Sequence, residues 1–84
     1  MREIIGKLIS IERDKHYPRL NLVVETLIKE EFYIQVMDKD THKTKDLKEG
    51  DLVRFEVRPN LKKVERRDQK LYYNNLILQE ATTV

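Results

Sequence analysis

The residues best suited to do chemistry in this sequence are the cations between Arg54 and Lys70. This segment carries seven Lys or Arg and three acidic residues, so its net charge is +4, whereas the rest of the chain sums to −2. Cations concentrated on one segment are suited to contact a phosphodiester backbone. The alternative is a solvated hairpin whose charges discourage edge-to-edge pairing of strands. The candidate phosphate-binding residues are Arg54, Arg58, Lys62, Lys63, Arg66, Arg67 and Lys70.

Three tyrosines are candidates for stacking on unpaired bases, a contact worth ~1–3 kcal/mol per base. Tyr33 and Tyr73 fall on the outward side of two predicted strands, and Tyr17 lies in a predicted loop. The alternative for each is half-buried packing with the hydroxyl at the surface. The remaining aromatic residues are expected in the core: Phe32, Phe55 and Tyr72.

Metal binding and catalysis are not indicated by the sequence. Six residues fall on the ligand positions of an EF-hand loop: Asp38, Asp40, His42, Thr44, Asp46 and Glu49. However, Lys43 occupies the position that must make a sharp turn and is usually Gly. The absence of Cys and the presence of only two His leave no zinc-binding spacing. Ser10 has no evident His and Asp partners, and two glycines cannot form a Gly-rich phosphate loop. We therefore expect no metal, no cofactor and no enzymatic activity.

These candidate residues must be positioned by the strands that hydrophobic alternation predicts. Gly6 lies inside the first strand and predicts a bulge or a coil where the inward face changes. Residues 38–50 predict a short helix or an ordered loop. Helical spacing over 24–32 and over 61–78 offers alternatives to two of the strands. The five predicted strands are near residues 3–12, 20–26, 32–37, 52–58 and 71–79.

Five short strands bury too little apolar surface as a single layer, but they can enclose a core when curled into a barrel. The sequence therefore predicts an all-β fold, a five-stranded OB-fold barrel with a short helix or loop between strands three and four. Residues 1–81 are expected to form this single domain, and residues 82–84 a frayed C-terminal tail. The alternative is a helix over 61–78 packed on a four-stranded sheet.

Several segments resemble bacterial single-stranded DNA-binding proteins of the OB-fold type. Residues 47–57 (LKEGDLVRFEV) resemble the start of that family's fourth strand, and a basic hairpin over 58–70 follows it, as in the family. Residues 3–9 (EIIGKLI) resemble the first strand with its glycine. Short members of the family share a core that corresponds here to residues 22–26, residues 49–51 and Tyr72. The resemblance implies an OB-fold that binds single-stranded DNA, although this chain has no Trp.

Composition limits where such a protein can act. The chain has 84 residues, 38% of them charged, and a net charge of only +2. It contains no apolar run long enough to span a membrane, and its first residues do not have the pattern of a secretory signal. With no Cys to form disulfides, a cytoplasmic location is expected.

The function predicted from the sequence is non-catalytic binding of single-stranded nucleic acid, DNA in particular, by an OB-fold. The alternative is a protein-interaction or self-assembly module that does not bind nucleic acid. In that case Val23, Leu52 and Ile77, taken as outward-facing, would form an apolar patch for a homodimer or a higher oligomer.

Overall fold

Five strands and one short 3₁₀ helix make up the computed structural model. It describes the backbone of residues 2–66 and 69–84 and the side chains of residues 2–60 and 75–84. The elements are β1 (Arg2–Arg13), β2 (Arg19–Glu25), β3 (Glu31–Met37), the 3₁₀ helix (Asp38–Thr44), β4 (Leu52–Arg66) and β5 (Gln69–Thr83).

The strands close into a barrel in the order β1-β2-β3-β5-β4, with β4 returning to β1. All neighbours are antiparallel except β3 and β5, which run parallel. This order, together with a short helical connection between β3 and β4, is that of the OB-fold. The predicted fold class is therefore confirmed, and the helical alternatives over 24–32 and 61–78 are excluded.

β1 closes the barrel because its two halves pair with different strands. Residues 2–7 pair with β4 and residues 7–13 with β2, so the strand coils around one end of the barrel. Gly6 lies at this crossover, where a Cβ atom would come within 2.7 Å of the backbone oxygen of Glu25. The register shifts between Leu8 and Ser10, and the inward positions change from even to odd numbers there. The change of inward face expected near Gly6 thus occurs two to four residues later.

The core comes from alternate residues of every strand. Phe55 fills its centre with no exposed surface, and Phe32 packs against its edge as a half-buried residue. Leu47, from the connection after the 3₁₀ helix, covers one end. The other members of the core are Ile4, Leu8, Leu22, Val24, Ile34, Val36, Val53, Val57, Leu76 and Leu78.

The 3₁₀ helix is fixed to the barrel by one lysine. The Lys43 ammonium donates a hydrogen bond of 2.6 Å to the backbone oxygen of Gln79 on β5. It also lies 3.3 Å from Asp40 Oδ1 and 3.4 Å from Glu80 Oε1. Burial lowers the pKa of Lys43, but the hydrogen bonds and charges of the two carboxylates outweigh it, so the pKa is raised overall.

The last two strands extend well beyond the barrel. β4 and β5 remain paired from Val53 opposite Thr83 to Arg66 opposite Gln69. β1 pairs with β4 no further than Val57, and in the described backbone β3 pairs with β5 no further than Leu76, so beyond Asn60 and Asn75 β4 and β5 continue as a two-stranded ribbon. In the described backbone, much of the basic hairpin expected over 58–70 is therefore regular strand.

The C-terminal end of β5 differs from the expected frayed tail. Thr82 and Thr83 pair with β4, and the backbone N–H of Val84 donates to the backbone oxygen of Leu52 at 3.0 Å.

No helix in the described part of the chain is long and apolar enough to cross a membrane.

Candidate nucleic-acid interface

A groove runs over the outer face of β2 and β3 and reaches β5. It consists of two adjoining depressions of about 590 and 400 Å³ that share Gln35 and Asn75. Tyr33 lines the larger depression and Tyr17 the smaller one. The other lining residues include Arg2, Glu12, Asn21, Val23, Glu31 and Phe32 in the larger depression, and Pro18, Arg19, Met37 and Asp38 in the smaller.

The register of β2 and β3 determines which side chains face each other in this groove. Asn21 lies directly opposite Gln35, and Val23 opposite Tyr33. Directly opposite side chains on paired strands point to the same side of a sheet. The floor of the groove therefore carries the two amides, Asn21 and Gln35, next to the pair formed by Val23 and Tyr33. Leu22 and Ile34, at the intervening positions, are fully buried in the core.

Tyr33 presents most of its ring to solvent, as its position in the strand predicted. The side chain is 66% exposed, and its hydroxyl donates a 3.3 Å hydrogen bond to Glu31 Oε2. A ring held at the hydroxyl with its face open can stack on an unpaired base.

Tyr17 lies in the loop between β1 and β2 and is 61% exposed. The guanidinium of Arg19 lies 4.7 Å from the centroid of its ring, which is within range of a cation–π contact. Arg19 therefore restrains one face of Tyr17 and leaves a cation beside the groove.

Asp14 organises this loop and was not anticipated from the sequence. Its Oδ1 accepts from the backbone N–H groups of His16 and Tyr17, at 2.8 and 3.1 Å. Its Oδ2 accepts from Arg19 Nε and Asn21 Nδ2, at 3.0 and 3.2 Å. The His16 N–H, followed by the Arg19 and Asn21 side chains, holds the pKa of Asp14 well below its usual range, and the small opposing effect of burial does not restore it.

The described residues that line the groove are not predominantly cationic. Arg2 and Arg19 line it together with three carboxylates, from Glu12, Glu31 and Asp38. The guanidinium of Arg2 lies 5.2 Å from the centroid of the Phe32 ring. Such a surface suits bases better than phosphates, so cations for a polyanion must come from outside the groove.

Two of the predicted cations lie on β4 within the barrel. Arg58 is exposed and lies opposite Ile77, which in turn lies opposite Gln35 of the groove. Arg54 is separated from β2 and β3 by the neighbouring strands, and its Nε lies 3.7 Å from Glu3 Oε2. Arg54 therefore does not line either depression, and its predicted role at the approach to the groove stays a prediction.

The ribbon begins at the groove. Asn75 of the groove pairs with Asn60, and the next residues of both strands form the ribbon. Lys62 lies opposite Tyr73 in its backbone register. Arg67 lies entirely outside the described part of the chain. For the remaining predicted residues of this segment only the backbone is described, not the side chain: Lys62, Lys63, Arg66, Lys70, Tyr72 and Tyr73.

The apolar patch expected for self-association does not form. Ile77 is only 4% exposed, Val23 is half-buried in the groove, and Leu52 lies on β4 opposite Lys7. A different apolar surface is exposed at the turn between β2 and β3. Leu27 and Ile28 are 88% and 74% exposed there, respectively.

The EF-hand spacing does not correspond to a cation site. Residues 38–44 form the 3₁₀ helix, and Lys43 lies against Asp40. Within residues 2–60 and 75–84, no three side chains of the metal-binding types come together.

Sequence comparisons show no match, since no protein-family model and no curated protein matches the chain. Solved structures of similar fold include two crystal structures of the mitochondrial single-stranded DNA-binding protein Rim1 from S. cerevisiae, one of them selenomethionine-labelled. Their TM-scores are 0.73 and 0.72, and both are 16% identical to this chain. The similarity covers 99% of this chain and 90% and 92% of theirs. At this identity the comparison shows that the chain shares the OB-fold of these proteins.

Proposed function

We propose that this protein binds single-stranded nucleic acid, and DNA in particular, without catalysing a reaction. The observation that carries the proposal is the groove, which has an exposed tyrosine in each of its two depressions and continues into the basic ribbon. Unpaired bases would stack on Tyr33 and Tyr17, and the phosphates would contact four cations of the basic segment: Lys62, Lys63, Arg66 and Arg67. Arg58 and Lys70 would line the approach to them. The shared fold with single-stranded DNA-binding proteins supports DNA as the ligand.

The test is a titration of a fluorescent oligo(dT) and an equal-length duplex at two salt concentrations. With about four phosphate contacts on a single strand, the slope of log K against log salt should be near −3, from ~−0.7 per contact. The duplex should bind more weakly because its bases are not available for stacking. Equal binding to both, or no binding at low salt, would contradict the proposal.

A matched pair of variants separates local from overall charge. We expect substitution of Lys62, Lys63, Arg66 and Arg67 by Ala to abolish most binding and flatten the salt dependence. The control makes the same change in net charge at four exposed lysines outside the groove and the ribbon: Lys7, Lys39, Lys45 and Lys48. If both variants lose affinity equally, the ribbon has no specific role.

Oligo(rU) of the same length tests the preference for DNA. Tighter binding of oligo(dT) is expected, and equal or tighter binding of oligo(rU) would extend the ligand to RNA.

The exposed turn between β2 and β3 favours self-association as a second candidate function. Leu27 and Ile28 share a depression with Ile5 and Phe32, bordered by charged residues of both signs that include Arg2 and Glu30. A two-fold interface could place the cation of one copy against the carboxylate of the other.

Charge reversal tests this second candidate by sedimentation. Arg2→Glu and Glu30→Arg should each be monomeric because like charges would meet across the axis. An equimolar mixture of the two should dimerise, since opposite charges then face each other at both contacts. A wild-type protein that remains monomeric at all concentrations would exclude self-association through this turn.

A further inference from the structure

Two amide side chains face each other in the floor of the groove. Asn21 on β2 and Gln35 on β3 occupy directly opposite register positions, and both line the larger depression. Gln35 also lines the smaller depression, where Tyr17 lies, and Tyr33 lines the larger one. The amide pair is therefore next to both candidate stacking rings.

Charged neighbours fix which way each amide points. The Oδ2 atom of Asp14 is 3.2 Å from Asn21, and an ionised carboxylate can only accept hydrogen bonds. The Asn21 amide must therefore turn its nitrogen toward Asp14 and its Oδ1 away. The same reasoning applies in reverse to Gln35: the guanidinium of Arg19, 3.5 Å away, can only donate. Gln35 turns its oxygen toward Arg19 and its Nε2 away.

As far as the described residues go, the two outer amide atoms are open to a ligand. Within the described side chains, neither Asn21 Oδ1 nor Gln35 Nε2 takes part in a protein hydrogen bond. Neither is a buried polar atom without a partner, since there are none among those residues. The groove thus offers one fixed acceptor and one fixed donor on opposed residues.

We propose that Asn21 and Gln35 hydrogen-bond to the edge of one base of the bound strand, an inference that rests on the proposed function. A pairing edge with a neighbouring donor and acceptor complements this pair, as in the N3–H and O4 groups of thymine. Every standard base has a neighbouring donor and acceptor on its pairing edge. The contact therefore selects for the presence of such an edge and does not require one particular sequence.

The experiment compares oligo(dT) with the same oligomer built from 2,4-difluorotoluene nucleotides. This analogue keeps the shape and stacking face of thymine but lacks its strong hydrogen-bonding groups. If stacking and phosphate contacts were sufficient, the analogue would bind as well as oligo(dT). We expect it to bind roughly 5- to 150-fold more weakly, as for the loss of a two-point contact to a base edge.

Variants assign this discrimination to the amide pair. Gln35→Met, which leaves the contacts between Asn21 and Asp14 in place, should weaken oligo(dT) binding and reduce its advantage over the analogue. Asn21→Leu combined with Gln35→Met should remove the advantage. Gln79→Leu, which removes an amide outside the groove, is the control and should keep the full advantage.

The outcomes separate this inference from the proposed function. Equal binding of oligo(dT) and the analogue by the wild-type protein overturns the base-edge contact but leaves single-strand binding intact. Discrimination that persists in Gln35→Met and in the double variant assigns it to other residues and also overturns the inference. No binding of oligo(dT) overturns the proposed function and the inference together.

Discussion

Tyr33 places an open aromatic face on the outer side of β3, and its hydroxyl donates a hydrogen bond to Glu31. Because its ring is 66% exposed, it contributes little to the core, so its removal should affect ligand binding more than folding. This separation makes it the most direct residue with which to test stacking.

We expect Tyr33→Ala to weaken oligo(dT) binding about 5- to 150-fold, equivalent to the ~1–3 kcal/mol of one stacked base. Tyr33→Phe keeps the ring and should bind within about twofold of wild type. Fluorescence anisotropy measures both affinities. An Ala variant with wild-type affinity would show that no base stacks at this position.

The carboxylate of Asp14 links the loop that carries Tyr17 to the groove residues Arg19 and Asn21. Its pKa is depressed in the folded protein, so the ionised form stabilises the fold. The contribution is complete above the unfolded pKa of ~3.9 and is lost as the pH falls toward the lower folded pKa.

Asp14→Ala should therefore lower Tm at neutral pH, and the difference from wild type should narrow as the pH falls below about 4. Thermal unfolding followed by circular dichroism between pH 2 and 7 measures this difference. A constant difference across the range would mean that ionisation of Asp14 does not stabilise the loop.

Single residues were predictable from the sequence only where alternation alone decides their direction. Tyr33 was identified by its outward position in a strand. The cluster around Asp14 was missed because it depends on a loop conformation that brings residues 14, 19 and 21 together. Ile77 was expected outward and exposed, yet it is buried, since alternation predicts a side of the sheet but not what covers it.

At the scale of elements, the pairing of β1 with both β4 and β2 requires a residue without a side chain where β1 passes from one partner to the other. A Cβ atom on Gly6 would lie 2.7 Å from both the Glu25 backbone oxygen and Val24 Cγ1. The backbone oxygen cannot move without disturbing the pairing of β1 with β2. Steric crowding of this kind typically costs ~1–3 kcal/mol.

We expect Gly6→Ala to reduce the free energy of unfolding by about that amount, ~1–3 kcal/mol. Lys7→Ala, at the exposed neighbouring position, is the control and should change it by less than ~0.5 kcal/mol. Urea unfolding gives both values. Equal stability of Gly6→Ala and wild type would show that β1 can shift without loss of pairing.

The five strands and the OB-fold were predictable because each strand buries alternate apolar residues. The length of the ribbon was not, because residues 61–70 are mostly polar and carry no apolar alternation that would predict a strand. In the described backbone the ribbon forms because β4 and β5 keep one antiparallel register beyond the barrel, and apolar alternation in the sequence does not predict how far such a register extends.

At the scale of the whole molecule, the proposed function assigns bases and phosphates to separate surfaces. Among the described residues the groove carries more carboxylates than cations, whereas the segment from Arg54 to Lys70 carries a net charge of +4. This separation explains why an overall charge of +2 is a poor guide to the ligand.

The parallel contact between β3 and β5 is the shortest strand pairing in the described barrel. In the described backbone only two residue pairs join these strands, Ile34 with Leu76 and Gln35 with Ile77, against seven pairs between β2 and β3. Thermal opening should begin where the fewest pairs must break, and that is beside Gln35 and Asn75 of the groove.

A nucleic-acid strand bound in the groove would span the contact between β3 and β5 and stabilise their pairing. We expect saturating oligo(dT) to slow amide hydrogen exchange in residues 31–37 and 75–79 more than in the β1–β4 pairing, as measured by mass spectrometry. Uniform slowing throughout the barrel would mean that the ligand stabilises the fold without bridging β3 and β5. The bound ligand would then also stabilise the closed barrel reversibly, by bridging β3 and β5 for as long as it stays bound.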